Sequence, residues 1–458
     1  MEGDAVKKAK KIAKLPIINP NAAGIDIGAT QIFVAVPPDR DAESVRCFAT
    51  FTADLEKLAD WLAACKIQTA AMESTGVYWI PLFQILEKRK IEPVLVNAQP
   101  LKNVPGRKKT DVEDCQWIQH LHAVGLLRGS FRPADEICTI RSLWRHRENL
   151  IQLASIHVQH MQKALDQMNI QLHHVISDLT GTTGLAIVDA ILSGERDPAK
   201  LAQLRNPHIR ASQQTVRESL VGDYREEHLF VLRQSLESYR HFQRLIHEVD
   251  LEVKQMVKEL PSKVGVQDPP LPKAKNPRKT PWRNEPPELR EDLYQAFGVD
   301  LTQVPGLNTL TTQILLTEIG PDFSRFPTSG DFCSWLRICP DPKITGGKVI
   351  SSKTRPSKNR AALALRMAAQ GLHRSQSFLG NYFRRMKARL GTPKAITAAA
   401  HKLAARIVYH MVTSRQEFDA TIFEALERRS RDHKHLRLCA QARELGFDLV
   451  KINPEAAN

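Results

Sequence analysis

Gly24-Ile25-Asp26-Ile27-Gly28-Ala29-Thr30 runs straight into Gln31-Ile32-Phe33-Val34-Ala35-Val36, and the fold of this chain is read outward from here. Two apolar β-type runs with glycines between them predict a hairpin, and the aspartate of the first run then stands at the edge of a sheet. A carboxylate there can hold a metal ion. The plainer alternative is a turn aspartate that caps its own backbone.

The neighbouring segments supply a context. Residues 45–51 form another strand-like run, 54–65 a helix through Leu55, Leu58, Trp61 and Leu62, 67–72 a short strand that ends at Glu73, 79–88 a helix, 93–97 a buried strand and 111–126 a helix. Strands alternating with helices predict an α/β domain. Asp26 lies on its first strand, Glu73 ends a later one, and Asp111 and Asp114 open a helix at i and i+3, so both project from one face. Sites in open α/β sheets gather at the carboxyl ends of strands and at the adjoining helix starts. Four carboxylates meeting there would repel one another unless a divalent cation neutralised them. Hard oxygen ligands select Mg2+ or Mn2+, and a pair of such ions clamps the attacking and leaving oxygens of a phosphoryl transfer. For Asp111 and Asp114 the alternative is capping of the helix N-terminus.

With 458 residues, 42% of them hydrophobic, the chain can bury a sizeable core and is expected to make two or three domains. Seven widely spaced cysteines (Cys47, Cys65, Cys115, Cys138, Cys333, Cys339, Cys439) include no Cys-x-x-Cys pair, so neither a disulfide framework nor a zinc knuckle is suggested. Residues 1–14 are basic but have no apolar core of signal-peptide length, and no apolar run of about 18 residues occurs. These features predict a soluble, cytoplasmic protein. The net charge is +15, and between residues 341 and 410 fifteen Lys or Arg face a single acid, Asp341. A single-sign field of that density points to nucleic acid, with a generic basic surface as the alternative.

Three blocks carry a resemblance: Gly-Ile-Asp-Ile-Gly at 24–28, Met-Glu-Ser-Thr-Gly at 72–76, and Arg107-Lys108-Lys109-Thr110-Asp111-Val112-Glu113-Asp114. They resemble the N-terminal blocks of insertion-sequence family 110, the Piv-like DEDD transposases. The resemblance implies an RNase-H-like (RuvC-like) domain at 20–135 whose acids are Asp26, Glu73, Asp111 and Asp114, in that order, with bound Mg2+ or Mn2+. Lys102, Arg107, Lys108 and Lys109 are then expected to contact nucleic acid.

From 141 to about 260 the chain reads as helical. Leu229, Leu232, Leu236, Tyr239, Leu245, Ile246, Val249, Val253, Met256 and Leu260 recur at three- and four-residue spacings. This stripe is either core or an oligomer seam; in the resembled family the region, 136–260 here, is a coiled coil that pairs protomers. Prolines and bases at 261–290 predict an extended linker, followed by a mainly helical domain at 291–425 and a tail at 426–458. Lys343-Ile344-Thr345-Gly346-Gly347-Lys348-Val349-Ile350-Ser351-Ser352-Lys353-Thr354-Arg355 collects glycines, hydroxyls and bases suited to a phosphodiester. This block resembles the family's C-terminal transposase domain. Many members carry a nucleophilic serine directly before Gly-Gly-Lys, where this chain has Thr345. Ser352, beside Lys353, is the expected nucleophile, with Ser351 and Thr345 as alternatives; Lys348, Lys353, Arg355, Lys358, Arg360, Arg384 and Arg385 are expected to bind nucleic acid. The resemblance further implies a DNA transposase that works as a homo-oligomer, draws each active site from two protomers and is guided by a bridge RNA. A junction-resolving RNase-H-like nuclease and a non-catalytic DNA-binding architectural protein are the competing readings.

Overall fold

The computed structural model describes residues 16–73, 76–96, 110–265, 267–274 and 288–448, which fall into two units, Met1–Arg132 and Pro133–Asn458. The first is built on five strands: β1 (Ala22–Ile27), β2 (Gln31–Ala35), β3 (Val45–Ala49), β4 (Thr69–Glu73) and β5 (Glu92–Val96). Their order in the sheet is β3-β2-β1-β4-β5. The first three pair antiparallel, while β4 pairs parallel with β1 and β5 parallel with β4. This is an RNase-H-like sheet. The β1–β2 hairpin forms where the apolar runs place it and closes through the Gly28 amide, which donates to the Gln31 carbonyl at 2.9 Å.

Strand alternation sorts side chains between the two faces of the sheet. Ile25, Ala70 and Met72 pack with Leu58, Leu62, Leu82 and Leu86 of α1 (Thr52–Ala64) and α2 (Trp79–Lys88). Ala71 and Val96 face the other way, onto Ile118 of α3 (Asp111–Ala123). α3 runs antiparallel to β1. The amides of Ile18 and Asn19 bond the Ala123 carbonyl, Gln119 Nε2 donates to the Ala22 carbonyl at 3.2 Å, and Gly24 lies against Cys115 and Gln119. A Cβ on Gly24 would sit 2.1 Å from the Gln119 nitrogen and 2.3 Å from the Cys115 oxygen, so only glycine lets helix and strand come this close.

The second unit is mostly helical. Its frame is an antiparallel pair, α4 (Asp135–Gln167) and α5 (Glu226–Glu259), joined by short helices between 172 and 219. Leu229, Leu232, Leu236, Tyr239 and Ile246 are buried in one core with Leu150, Ala154, Met161 and Leu165, and the His157 ring stacks on Phe242 with centroids 5.4 Å apart. From Leu229 to Val249 the apolar stripe of α5 is therefore core within its own chain, covered by α4. A buried ion pair between Arg147 and Asp250 fixes the register of the two helices. Arg141 Nε donates to the Thr317 carbonyl at 3.0 Å, and Arg145 Nη2 reaches both carboxylate oxygens of Glu318 at 3.0 and 2.8 Å. These bonds tie α4 to α6 (Thr309–Ile319) of the C-terminal part. There Phe323, Phe326, Phe332 and Tyr409 form an aromatic cluster, and Tyr409 Oη donates to the Phe326 carbonyl at 2.8 Å.

The proline-rich connection at 261–274 is irregular but anchored: the Lys263 amide bonds the Gln295 carbonyl at 2.9 Å and Tyr294 Oη the Pro269 carbonyl at 2.6 Å. Two substitutions probe this architecture. Gly24→Ala should cost about 1–3 kcal/mol by forcing α3 off β1, read as a lowered denaturation midpoint. Asp250→Ala should cost about 3–5 kcal/mol because the buried Arg147 guanidinium loses its carboxylate partner, again measured by chemical denaturation.

Candidate active site

In the parallel ladder Gly24 pairs with Ala71 and Ile25 with Met72, so Asp26 and Glu73 are the next residues along at the carboxyl ends of two adjacent strands. The antiparallel run of α3 brings its N-terminus to that same edge. Thr110 caps the helix: its Oγ1 accepts from the Glu113 amide at 3.2 Å while its carbonyl accepts from the Asp114 amide at 2.9 Å. Asp111 and Asp114 lie in the first turn, where the amide ends of the helix favour negative charge. Asp26, Glu73 and Asp114 are half-buried and Asp111 is exposed.

Cys115, fully buried, reports on how close these acids are. Burial pushes its thiol up to about 12, and the carboxylates of Asp26 and Asp114 both add to the push by disfavouring a second anion nearby. Glu113 also belongs to this turn, and its Oε2 is buried with no hydrogen-bond partner among the described residues. The donor set is thus hard oxygen at one sheet edge, the kind that suits a divalent cation. Among the described residues, the trios of possible ligands drawn within 4.8 Å of one another are Cys333–Cys339–His401 and Asp166–His173–His174; no three of the four acids form such a group. Lys102, Arg107, Lys108 and Lys109 lie outside the described residues.

In the second unit, the 343–355 block folds as a hairpin that the reading by composition alone missed. β6 (Lys343–Thr345) and β7 (Lys348–Ser351) pair antiparallel around Gly346 and Gly347, whose φ values of 55° and 76° suit a two-glycine primed turn. The signal was there: a Gly-Gly pair between two short β-branched runs. Thr345 pairs with Lys348 beside the turn, and Ser351 pairs with Lys343. Ser351 Oγ accepts from the Lys353 amide at 3.3 Å; Ser352, just past the strand, is exposed. The hairpin stands out from the core, with Ile344, Val349 and Ile350 59%, 61% and 69% exposed. Lys343, Lys348, Lys353, Arg355 and Lys358 are exposed along it.

Other bases of the segment are engaged in the chain itself. Arg360 pairs with Glu148 of α4, and Arg384 Nη1 donates to the carbonyls of His373 at 3.1 Å and Ser375 at 2.7 Å. Lys402 sits over the Tyr382 ring, 4.3 Å from its centroid. Arg385 is exposed.

A family model for DEDD transposases of the IS110 group matches residues 23–170, and a second, described as Transposase IS116/IS110/IS902 family, matches residues 300–383. The chain belongs to the IS110 family of transposases. The first match takes in all four acids and the second the whole glycine hairpin. This IS110 transposase is accordingly a DNA-recombining enzyme of an insertion sequence, with a DEDD domain of a kind that binds divalent metal. No curated protein matches the chain. No described helix is long and apolar enough to cross a membrane.

If the acid edge holds a divalent ion, binding must raise stability by RT ln(1 + [L]/Kd), about 2.7 kcal/mol at a hundredfold excess over Kd. Mg2+ or Mn2+ should therefore raise the melting temperature of the wild type and leave Asp26→Asn unmoved. Equal shifts in the two proteins would remove Asp26 from the site. The basic hairpin and its surroundings predict DNA binding that weakens steeply with salt, with a log–log slope of several units at roughly −0.9 per neutralised phosphate; a filter-binding titration from low to high salt reads it directly.

Proposed function

We propose that this transposase cuts and rejoins DNA strands with two sets of groups. One is the acid edge of Asp26, Glu73, Asp111 and Asp114; the other is a hydroxyl of the β6–β7 hairpin. The observation that carries the reading is the convergence of two strand ends and a helix start, each bearing an acid, at one edge of an RNase-H-like sheet. Bound there, Mg2+ would polarise the scissile phosphate and stabilise charge on the leaving oxygen.

The hairpin hydroxyl supplies the nucleophile. Its oxygen adds to phosphorus, a phosphorus–oxygen bond of the DNA breaks, the departing oxygen takes up the proton, and the strand remains attached as a protein–DNA phosphodiester. One ester replaces another, so rejoining is the same exchange run towards a new DNA end and needs no outside energy source. A hydroxyl is a weak nucleophile unless positive charge surrounds it. Ser352 is exposed, has no hydrogen-bond partner among the described residues and is followed by Lys353, so it is the favoured residue; Ser351 is occupied by the Lys353 amide. Thr345 stands at the family position but carries a methyl group that restricts χ1.

The exposed bases Lys348, Lys353, Arg355, Lys358 and Arg385 hold the DNA backbone, with Lys102, Arg107, Lys108 and Lys109 contributing from the first unit. The family resemblance adds a homo-oligomer and a bridge RNA that selects donor and target. Trapping the protein on a nicked suicide substrate and mapping the DNA-linked peptide tests the assignment. The expected adduct is on Ser352, lost in Ser352→Ala. Asp26→Asn, Glu73→Gln, Asp111→Asn and Asp114→Asn should each abolish strand exchange with the fold unchanged. An adduct on Thr345 would move the nucleophile to the turn, and exchange by a variant lacking all three hydroxyls would end the covalent reading.

A further inference from the structure

The Sγ atoms of Cys333 and Cys339 and a ring nitrogen of His401 lie within 4.8 Å of one another. Three separate pieces of the fold deliver them. Cys333 is in the helix Ser329–Trp335, Cys339 is in the turn that follows, and His401 is in the helix Thr392–Leu403. Cys333 is fully buried and the other two are half-buried. Around a tetrahedral zinc, with Zn–S bonds of about 2.3 Å and Zn–N bonds of about 2.1 Å, neighbouring ligand atoms stand about 3.6–3.8 Å apart. The trio, within 4.8 Å throughout, is compatible with that spacing. We propose that Cys333, Cys339 and His401 form a Zn2+ site, separate from the acid edge, that pins the base of the β6–β7 hairpin.

The chemistry of the donors selects the ion. Two sulfurs and an imidazole are soft to borderline ligands and suit Zn2+, whereas the hard oxygens of the acid edge suit Mg2+. Two thiolates neutralise a divalent ion, so the positive charges nearby, Arg355 beside Cys339 and Arg406 beside His401, face a site with no net charge. Three protein ligands leave one corner of a tetrahedron to water.

Position gives the site its role. Cys339 is followed directly by Pro340, which bridges to Thr354, and the Asp341 amide bonds the Lys353 carbonyl at 3.1 Å. Both ends of the hairpin therefore leave the fold next to Cys339. The hairpin has no core of its own, and an isolated two-stranded ribbon is marginally stable in water. An ion joining Cys339 to Cys333 and to the Thr392–Leu403 helix would fix the root from which the hydroxyls and bases project.

The experiment uses the untagged full chain purified under reducing conditions with zinc supplied. Elemental analysis should find one zinc per chain. Replacement by Co2+ should give a thiolate-to-cobalt charge-transfer band with tetrahedral d–d bands, present in Asp26→Asn and lost in Cys339→Ser and His401→Asn; Cys138→Ser is the control. Because a ligand variant could misfold, the wild type is also tested alone: a chelator should speed tryptic cleavage at Lys343, Lys348 and Lys353 without changing far-ultraviolet circular dichroism. The proposal is overturned by less than stoichiometric zinc that no ligand variant alters, by a cobalt complex with no thiolate band, or by a Cys333–Cys339 disulfide in freshly lysed cells.

Discussion

The backbone of α3 rests directly on the backbone of β1 at Gly24, and the candidate chemistry of the first unit depends on that contact. A side chain there would hold the helix away from the sheet by the thickness of a methyl group or more. With glycine, α3 lies antiparallel along the strand and its capped N-terminus arrives beside Asp26. Glu73 needs no such device, because the parallel register of β1 and β4 carries it to the same edge. One close approach and one register thus bring residues distant in the chain to a common line of carboxylates. The resulting repulsion is reduced by the helix end, whose amides favour anions, and would be relieved further by a bound divalent ion.

The second unit answers a different constraint, the support of a polar, strongly basic surface that can bury little of itself. The long helices α4 and α5 spend their apolar faces on each other, and the Arg147–Asp250 pair permits one alignment of the two. Polar residues of α4 then reach the C-terminal part: Arg141 and Arg145 bond the end of α6, and Glu148 receives Arg360. Some bases of the charged segment are consequently structural. Arg360 and Arg384 satisfy partners within the chain, while Lys348, Lys353, Arg355, Lys358 and Arg385 are left exposed to meet a polyanion.

The hairpin at 343–351 combines these themes. Its primed Gly-Gly turn makes a ribbon out of few residues, but Ile344, Val349 and Ile350 remain largely in solvent. Its order must come from its root, from DNA, or from both. That requirement gives the neighbouring cysteine–histidine trio its interest, since a reactive hydroxyl on a loose ribbon would rarely meet a phosphate in line.

Local pattern determined a good deal by itself. Two apolar β-type runs with glycines between them marked the β1–β2 hairpin, three- and four-residue spacing marked α1 and the long α5, and the opening acids marked the start of α3; each of these follows from nearest neighbours along the chain, where steric and hydrogen-bonding preferences act. The density of charge between 341 and 410 and the four acid candidates were legible for the same reason. What the tertiary structure decided are the relations between segments far apart: that α3 meets β1 at Gly24, that the stripe of α5 is covered by α4, that Arg360 belongs to Glu148. Cys333, Cys339 and His401 show the limit most plainly. Five residues separate the first two and sixty-one the last two, so no ligand spacing is visible in the chain. Their proximity exists only because two helices and a turn pack side by side, and packing of that kind depends on the summed shape of the whole core and not on any short run of residues.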